Sequence, residues 1–303
     1  MIEQEKFITP NEWQNILEQE QLTLNLVSYP ATMAFHTNRL TRELPTQKDI
    51  ANIDYQVSNR KNSGHITGSI TFEDVKEQLP TIDHTDMLIY LGVSRLFEAG
   101  YVGFTPQLVW RYATGNKDAR VTPKQRELVA DRLDKMMRMV ITIDVTAEYV
   151  DTYKKVEAPT VELSENLLYL KKRKVTLQGR QQEGYVVLAH PVLDRYSRDL
   201  RHITYYERDL IESTGGVEDA LLTKYIAERI AGMKNNKNKI ASNRILLTSI
   251  YTAMDVETPT KFKRSQIKDK VDALLTTWAD KNEITGHKFV KQGRAWHAVD
   301  IFF

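Results

Sequence analysis

The sequence contains no cysteine, little glycine or proline, and no long apolar run. Its 303 residues include 13 Gly and 9 Pro. Without cysteine there is no disulfide framework, no thiolate zinc site and no iron–sulfur cluster, and a cytoplasmic location is expected. No apolar segment approaches the roughly 18 residues that a membrane-spanning helix needs. The first residues, MIEQE, are polar and acidic, unlike a signal or transit peptide, so no membrane partner is expected.

The sequence also lacks the common motifs of enzyme active sites. Its glycines complete neither G-x-x-x-x-G-K-[ST] nor G-x-G-x-x-G, the patterns that let backbone N–H groups approach a phosphate. G-x-S-x-G and H-E-x-x-H are missing, and the seven histidines are scattered without a His-x-His pair. We therefore expect no catalytic residue, no metal and no cofactor. An enzyme with an unrecognised site stays an alternative, and it would need a deep pocket with convergent titratable groups.

The charge is nearly balanced overall but unevenly distributed. The chain has 42 basic and 40 acidic residues, for a net charge of +2. Between Ala231 and Lys270, however, nine Lys or Arg residues accompany three acids. This window carries a charge of +6 and the rest of the chain −4. Such an asymmetry is typical of a surface that binds a polyanion.

Helix signals followed by strand signals form a first unit. Helices are predicted from Asp83 or Thr85, from Thr105-Pro106 and from Thr122-Pro123, because each start combines an N-cap residue with helical apolar spacing. Alternation over 141–145 predicts a strand, and 161–189 predicts a wing whose basic turn is Lys171–Lys174. Before this unit, Thr9 is expected to cap a short helix and Thr71 to cap a helix that runs to Leu79. Residues 37–69 are interpreted as loop with one short strand at most.

The same order returns after Gly215-Gly216. Helices are predicted over 217–233 and 243–254, with Ile240 as a short strand between them. A third helix follows, since Ile267, Val271, Leu274, Leu275 and Trp278 form one apolar stripe. A terminal hairpin over 284–302 has a basic tip at 291–294, and across it His287 and His297 are expected to face each other.

Together these patterns predict an α+β, mostly helical protein with two tandem winged-helix domains, a variant of the helix-turn-helix. Residues 71–214 form the first domain and 215–303 the second, whereas 1–70 have no assigned role. The 41% of hydrophobic residues is enough for a core of this size.

The third helix of a winged helix enters the major groove, so its first turns hold the candidate base-contacting residues. In the second unit this helix start and the wing are strongly basic. Its candidate DNA-binding residues are Lys261, Lys263, Arg264, Ser265, Gln266, Lys268, Lys288, Lys291 and Arg294. In the first unit the candidates are Lys124, Gln125 and Arg126, but Glu127, Asp131 and Asp134 on the same helix would repel phosphates. A solvated charged surface is the alternative interpretation of both sets.

These segments resemble a known protein family. They are DMLIYLGV from Asp86, TPKQ from Thr122 and MVITID from Met139, followed by ITGHKF from Ile284 and GRAWHAVDIF from Gly293. In this order they resemble the replication initiators of plasmids and related mobile elements, which have two winged-helix domains in tandem. The resemblance covers about residues 72–303. It implies ATP-independent binding of double-stranded origin repeats mainly by the second domain, homodimer contacts through the first, and recruitment of host replication proteins.

Two further interpretations stay open at this level. A transcriptional regulator with the same fold would differ only in the DNA site that it binds. A protein-docking module would use winged helices without binding DNA, and it predicts clustered exposed apolar residues on the third helices.

Overall fold

Helices and strands contribute in similar measure to the part of the chain that the structure, a computed structural model, describes. That part comprises residues 26–30, 50–59, 62–72, 84–116, 118–144, 162–177, 180–199, 203–207, 216–234, 243–254, 256 and 258–303. Its helices are α1 His84–Glu98, α2 Pro106–Thr114, α3 Pro123–Met137, α4 Val192–Asp199, α5 Val217–Lys234, α6 Leu247–Ala253 and α7 Lys261–Asp280. The predicted α+β class is confirmed.

The strands of these residues form four antiparallel sheets. They are β1 Leu26–Pro30, β2 Ile50–Asn59, β3 Asn62–Phe72, β4 Gly103–Phe104, β5 Met139–Asp144, β6 Glu162–Asn166, β7 Leu170–Leu177, β8 Arg180–Val187, β9 Ile203–Glu207, β10 Arg244–Leu246, β11 Gly286–Gln292 and β12 Ala295–Phe302. The sheet orders are β1-β9, β2-β3-β5-β6, β4-β8-β7 and β10-β12-β11.

Two units repeat the same topology. The first has the order α1-β4-α2-α3-β5-β6-β7-β8, in which β5 and β6 belong to another sheet and the remaining strands have the sheet order β4-β8-β7. The second has the order α5-β10-α6-α7-β11-β12 with sheet order β10-β12-β11. In both, a short strand after the first helix pairs with the last strand of a hairpin that follows the third helix. This is the order of elements predicted for a winged helix.

Local signals in the sequence explain where the helices begin and end. Thr105 and Thr122 cap α2 and α3 through their hydroxyls, and a proline follows each of them. The Gln125 side chain completes a capping box with Thr122. Gly115 ends α2 with a φ of 72°, a left-handed conformation that favours glycine. The predicted helix starts near Thr85, at Thr105-Pro106 and at Thr122-Pro123 are confirmed.

A continuous hydrophobic core runs through both units. The apolar stripe of α7 lies within it, with Ile267, Val271, Leu275 and Trp278 at most 1% exposed. The units also contact each other, because α5 packs against α1 and α2. At this contact Ala220 of α5 is buried with Leu88 and Ala113. Buried apolar contacts therefore join the two units.

Helices α1 and α2 approach closely at Gly92. A Cβ atom at this position would lie 2.9 Å from the carbonyl oxygen of Val109 and 3.0 Å from Cβ of Ala113. We expect Gly92→Ala to lower the free energy of unfolding by roughly 1–3 kcal/mol, because the helix backbones must separate. Urea unfolding measures this loss. Gly232→Ala on α5 is the control, since no atom lies within 4 Å of its added Cβ, and an equal loss in both variants would contradict the steric explanation.

The interpretation of 37–69 as mainly loop is wrong. Strands β2 and β3 form a long hairpin there, with Ile53 opposite Gly68 and Asn59 opposite Asn62, and β3 continues the sheet through β5. The sequence of β2 alternates between apolar and polar residues from Ala51 to Val57, which is the period of a strand. The loop interpretation came from the Asn, Ser and Gly residues around the hairpin turn, such as Asn59, Asn62 and Gly64. Strands β5 and β6 extend the same sheet, and they lie in the chain between α3 and β7.

Three further expectations are corrected by the backbone. Lys171–Lys174 lie inside β7 and are not the turn, since β7 and β8 reverse between Leu177 and Arg180. Thr71 belongs to β3 and does not cap a helix. Residues 244–246 form β10, so the helix expected from 243 begins only at Leu247.

Some expectations cannot be compared with the structure. The helix expected after Thr9, residues 73–79 of the helix expected after Thr71, and the strand expected at Ile240 lie outside the described residues. The domain boundaries at 70/71 and 214/215 stay predictions. Strand β1 pairs with β9, and β2 and β3 share a sheet with β5 and β6, so the described N-terminal strands pair with strands of the first unit.

Candidate nucleic-acid interface

The first turns of α7 present a polar and basic surface to solvent. Thr260 caps the helix by accepting a hydrogen bond from the backbone N–H of Lys263 at 3.2 Å. Because the apolar stripe faces the core, the residues opposite it point outward. Exposed side chains in these turns are Lys261, Phe262, Arg264, Ser265 and Gln266. Four of these five residues are predicted DNA-binding residues, and Phe262 was not.

The hairpin of β11 and β12 forms the wing of the second unit. Gly293 turns the chain with a φ of 63°, and a bulge between Val290 and Lys291 shifts the register just before the tip. Lys288, Lys291 and Arg294 are all exposed on this hairpin. The predicted basic tip is therefore present as three solvent-facing cations on a rigid two-stranded support.

A cluster of two lysines and two aromatic rings joins α7 to this wing. The Lys268 ammonium lies 4.5 Å from the ring centre of Phe289 and 5.6 Å from that of Trp296. The Lys291 ammonium lies 4.4 Å from the Trp296 ring, and the two rings meet edge to face. Such contacts stabilise by about 0.5–1 kcal/mol each at exposed sites. They fix the angle between the helix and the wing, so the two surfaces can approach one ligand together.

A hydrogen bond makes a second link between α7 and the wing. A ring nitrogen of His287 on β11 lies 2.7 Å from a carboxylate oxygen of Asp272 on α7. This hydrogen bond, supported by Lys268, holds the pKa of Asp272 below its ordinary value. The contact therefore stabilises the fold fully at pH values above the ordinary pKa of a carboxyl group. This stabilisation is lost as the pH falls through the lowered pKa of Asp272. His287 lies opposite Ile301 in the hairpin, so the expected facing of His287 and His297 is wrong.

Several lysines of the basic window form ion pairs with acids that are distant in the sequence. Lys263 donates to both carboxylate oxygens of Glu218 at 2.9 and 2.7 Å, and Lys270 contacts Asp219. Arg244 and Asp300 form a bidentate pair at 2.6 and 2.8 Å. Both acids of the first pairs lie in the first turn of α5. Much of the positive charge of this window is thus compensated within the same unit.

These acids are expected to limit DNA affinity. In a variant with Glu218→Gln and Asp219→Asn, Lys263 and Lys270 become available for phosphates, and two negative charges are removed. Because exposed ion pairs stabilise by only about 1 kcal/mol or less, we expect affinity for any duplex to rise by about fivefold. Titration of a labelled duplex at low salt measures this change. Matched replacement of Glu228 and Asp280 by amides is the control, and an equal rise there would show a general charge effect.

Arg264, another predicted residue at the start of α7, is held by a hydrogen bond to the segment just before the helix. The Arg264 guanidinium donates through Nε to the carbonyl oxygen of Pro259 at 3.0 Å. Arg264 is nevertheless exposed to solvent. Arg264 is therefore oriented along the first turn, beside the exposed Lys261.

The third helix of the first unit differs from α7. Lys124 and Arg126 are exposed, but the side-chain oxygen of Gln125 accepts hydrogen bonds from the backbone N–H of Thr122 at 2.8 Å and from its hydroxyl at 3.0 Å. This oxygen is thus engaged in capping α3. Glu127 and Asp131 are exposed on the same helix. The outward surface of α3 is electrostatically mixed.

Other cations of α3 are bound to acids of the first unit. Asp86 of α1 is fully buried and forms ion pairs with Arg132 at 3.0 Å and Lys135 at 2.6 Å. These pairs fix α3 against α1, which removes both cations from the outward surface of the helix.

A further network ties α3 to the sheet of the same unit. Asp134 accepts hydrogen bonds from Lys172 of β7 at 2.7 Å and from the hydroxyl of Tyr185 at 2.9 Å. Burial, with the hydrogen bond to Asp134, raises the pKa of Tyr185 well above its ordinary value. Lys172, expected as part of a wing turn, thus has a structural contact to the third helix.

The structure therefore brings together one of the two predicted residue sets. The start of α7 and the wing residues meet at one surface of the second unit through the contacts of Lys268 and Trp296. Reasoning from the sequence missed the two aromatic residues of this surface, Phe262 and Trp296. The signal was present, since Phe262 lies off the apolar stripe of α7 and must face solvent.

Two features are absent from the residues that the structure describes. No group of three or more His, Asp or Glu residues among them is arranged to hold a metal ion. None of their helices is both long and apolar enough to cross a bilayer.

Comparison with known proteins finds similarity only at the level of structure. No protein-family model matches the chain, and no curated protein matches its sequence. A selenomethionine derivative of domains 2 and 3 of RctB is similar at a TM-score of 0.47 with 10% identity, covering 90% of this chain and 98% of that one. A second structure of RctB domains 2–3 has a TM-score of 0.45 with 10% identity, covering 88% of this chain and 97% of that one.

Proposed function

We propose that this chain binds double-stranded DNA sequence-specifically and acts as a replication initiator of the plasmid or mobile-element kind. The observation that carries the proposal is the joint surface of α7 and the wing in the second unit. There, Lys268 of α7 and Lys291 of the wing both contact Trp296, exposed polar side chains precede Lys268 on the helix, and exposed cations lie along the hairpin. We propose a binding role without catalysis or cofactor.

The start of α7 supplies the chemistry for contacts to bases. An α-helix fits the major groove of B-DNA, and the first residues of a recognition helix reach the base edges. Gln266 offers an amide suited to adenine, and Lys261 and Ser265 offer further donors. All three are exposed at the start of the helix. Sequence-specific contacts would come from these turns.

The wing supplies contacts to phosphates. Lys288, Lys291 and Arg294 can neutralise phosphates of the strands that flank the groove, and each contact releases condensed counterions. Lys263 and Lys270 can join them by exchanging a carboxylate for a phosphate, since exposed ion pairs are weak. The second unit would thus bind both the bases and the backbone of one site.

The first unit would have a smaller role in DNA binding. Its third helix presents acids beside Lys124 and Arg126, and the side-chain oxygen of Gln125 is engaged in capping. We propose that this unit adds backbone contacts and carries the homodimer and host-protein contacts that the family resemblance implies. The initiator role itself rests on that resemblance and on the tandem repetition of the topology.

The exposed surfaces of the third helices weigh against a protein-docking module. That alternative requires a contiguous apolar patch. Along α3 the exposed residues are Pro123, Lys124, Arg126, Glu127 and Asp131, and along α7 Phe262 is the one exposed large apolar side chain. A transcriptional regulator would use the same contacts and stays the second candidate. Only the DNA site that is bound distinguishes it from an initiator.

Selection of binding sites tests the proposal. The purified full chain is incubated with a pool of random duplexes in the presence of competitor DNA at two salt concentrations, and bound sequences are determined. We expect one sequence to be enriched and its affinity to fall steeply with salt. Repeated copies of this sequence beside a replication start would support an initiator, whereas a single copy at a promoter would support the regulator. No enrichment and no duplex binding at low salt would overturn the proposal.

A further inference from the structure

Phe262 is the most exposed large apolar side chain among the described residues. It is 73% exposed and lies in the first turn of α7, whereas Phe302 and Trp296 are 47% and 41% exposed. Leaving a ring of this size in water forgoes the gain from burial. At the start of the proposed recognition helix, this ring is available for contact with a ligand.

The surroundings of Phe262 do not form an apolar patch. Lys261 and Arg264 beside it in the first turn are exposed, and Lys263 is paired with Glu218. The residues three, four and seven positions further along, Ser265, Gln266 and Asp269, share its helix face and are also exposed. A single ring within polar and basic side chains fits a ligand that combines negative charge with one small apolar group.

The major groove of DNA offers this combination. Phosphates line its rims, and the C5-methyl group of thymine is an apolar group on its floor that phenylalanine contacts. We propose that Phe262 is a specificity-determining residue that packs against the methyl group of a thymine in the recognised site. This inference rests on the proposed DNA-binding function. It adds contact with one specific base, a thymine, to the proposed recognition of the site.

Neighbouring charges favour this orientation of the ring. Lys261 and Lys263, the chain neighbours of Phe262, lie about 100° of helix rotation to either side of it, so phosphates that they attract on the two rims leave the ring facing the floor of the groove. Asp269 is exposed two turns further along the same face and repels phosphates. Close contact is therefore limited to the first turns, where Phe262 lies.

The test removes single methyl groups from the DNA. Each thymine of the selected site is replaced in turn by deoxyuridine, which pairs identically but lacks the methyl group, and the affinity of the unmodified protein is measured. We expect one position at which affinity falls about fourfold, the change that burying one methyl group gives. Phe262→Ala should bind the intact site at least tenfold more weakly and should be insensitive to uridine at that position.

Phe302→Ala is the matched control, because this phenylalanine is also exposed but lies at the far end of β12. It should bind like the unmodified protein and keep its sensitivity to uridine. A site at which no uridine lowers affinity, with Phe262→Ala binding normally, would overturn the inference and leave the proposed function standing; the ring would then be free for a protein partner. Failure to select any DNA would instead overturn the proposed function itself.

Discussion

Replacing Lys291 and Arg294 of the wing by alanine is expected to weaken binding of the selected duplex by about 30-fold near 0.15 M salt. Both cations are exposed at the hairpin tip, next to the surface of α7. A phosphate that no longer contacts a cation keeps its condensed counterions. Each lost contact therefore lowers the slope of log affinity against log salt concentration by about one. Affinity measured at four salt concentrations gives both values.

The control for this variant removes the same charge elsewhere in the second unit. Arg229 on α5 and Lys281 after the end of α7 are both exposed. Lys281 lies about 30 Å along the helix from Lys261, since α7 has 20 residues. Their double alanine variant should change affinity less than threefold. Equal losses in the two variants would mean that net charge alone attracts DNA and that the wing has no specific role.

Replacing Asp86 by asparagine is expected to lower the free energy of unfolding by about 2–3 kcal/mol. Asp86 has no exposed side-chain surface and pairs with both Arg132 and Lys135. Without its charge, these two cations, whose side chains are only 27% and 24% exposed, lose a buried anionic partner that partial solvation does not replace. The urea midpoint measures the loss.

Glu183→Gln is the matched control for the buried pair. Glu183 also contacts two cations, Lys172 at 3.4 Å and Lys174 at 3.7 Å, but its side chain is 39% exposed. We expect a change of about 1 kcal/mol or less, since exposed pairs are weak. If Asp86→Asn is equally mild, burial does not strengthen its ion pairs, and apolar packing together with the contacts of Asp134 holds α3 in place.

Local patterns were sufficient to predict the helices of both units. Caps such as Thr105-Pro106 and the stripe from Ile267 to Trp278 depend on residues within a few positions of each other. The same holds for the final hairpin, whose Gly293 turn separates two alternating segments. These signals are local in the chain, and for that reason the order of elements could be read in advance.

Sheet pairing could not be predicted in the same way. The hairpin of β2 and β3 belongs to a sheet completed by β5 and β6, which follow α3 in the chain. Its Asn- and Gly-containing strands form in a register set by these distant partners. For the same reason the basic run from Lys171 to Lys174 was placed in a turn, although it is a strand paired with β8.

The candidate site likewise has features that the sequence predicted and features that depend on tertiary contacts. Composition and spacing along the chain already located a basic helix start and a basic wing in the second unit. Which of these cations face solvent without a carboxylate depends on tertiary contacts, because Glu218 and Asp219 pair with Lys263 and Lys270 across 45 and 51 positions. Phe262 acquires its significance in the same way, since its exposure follows from the burial of the opposite face of α7 against α5 and the wing. Residue types and helical periods are local properties, whereas charge compensation and exposure arise only when distant segments pack together.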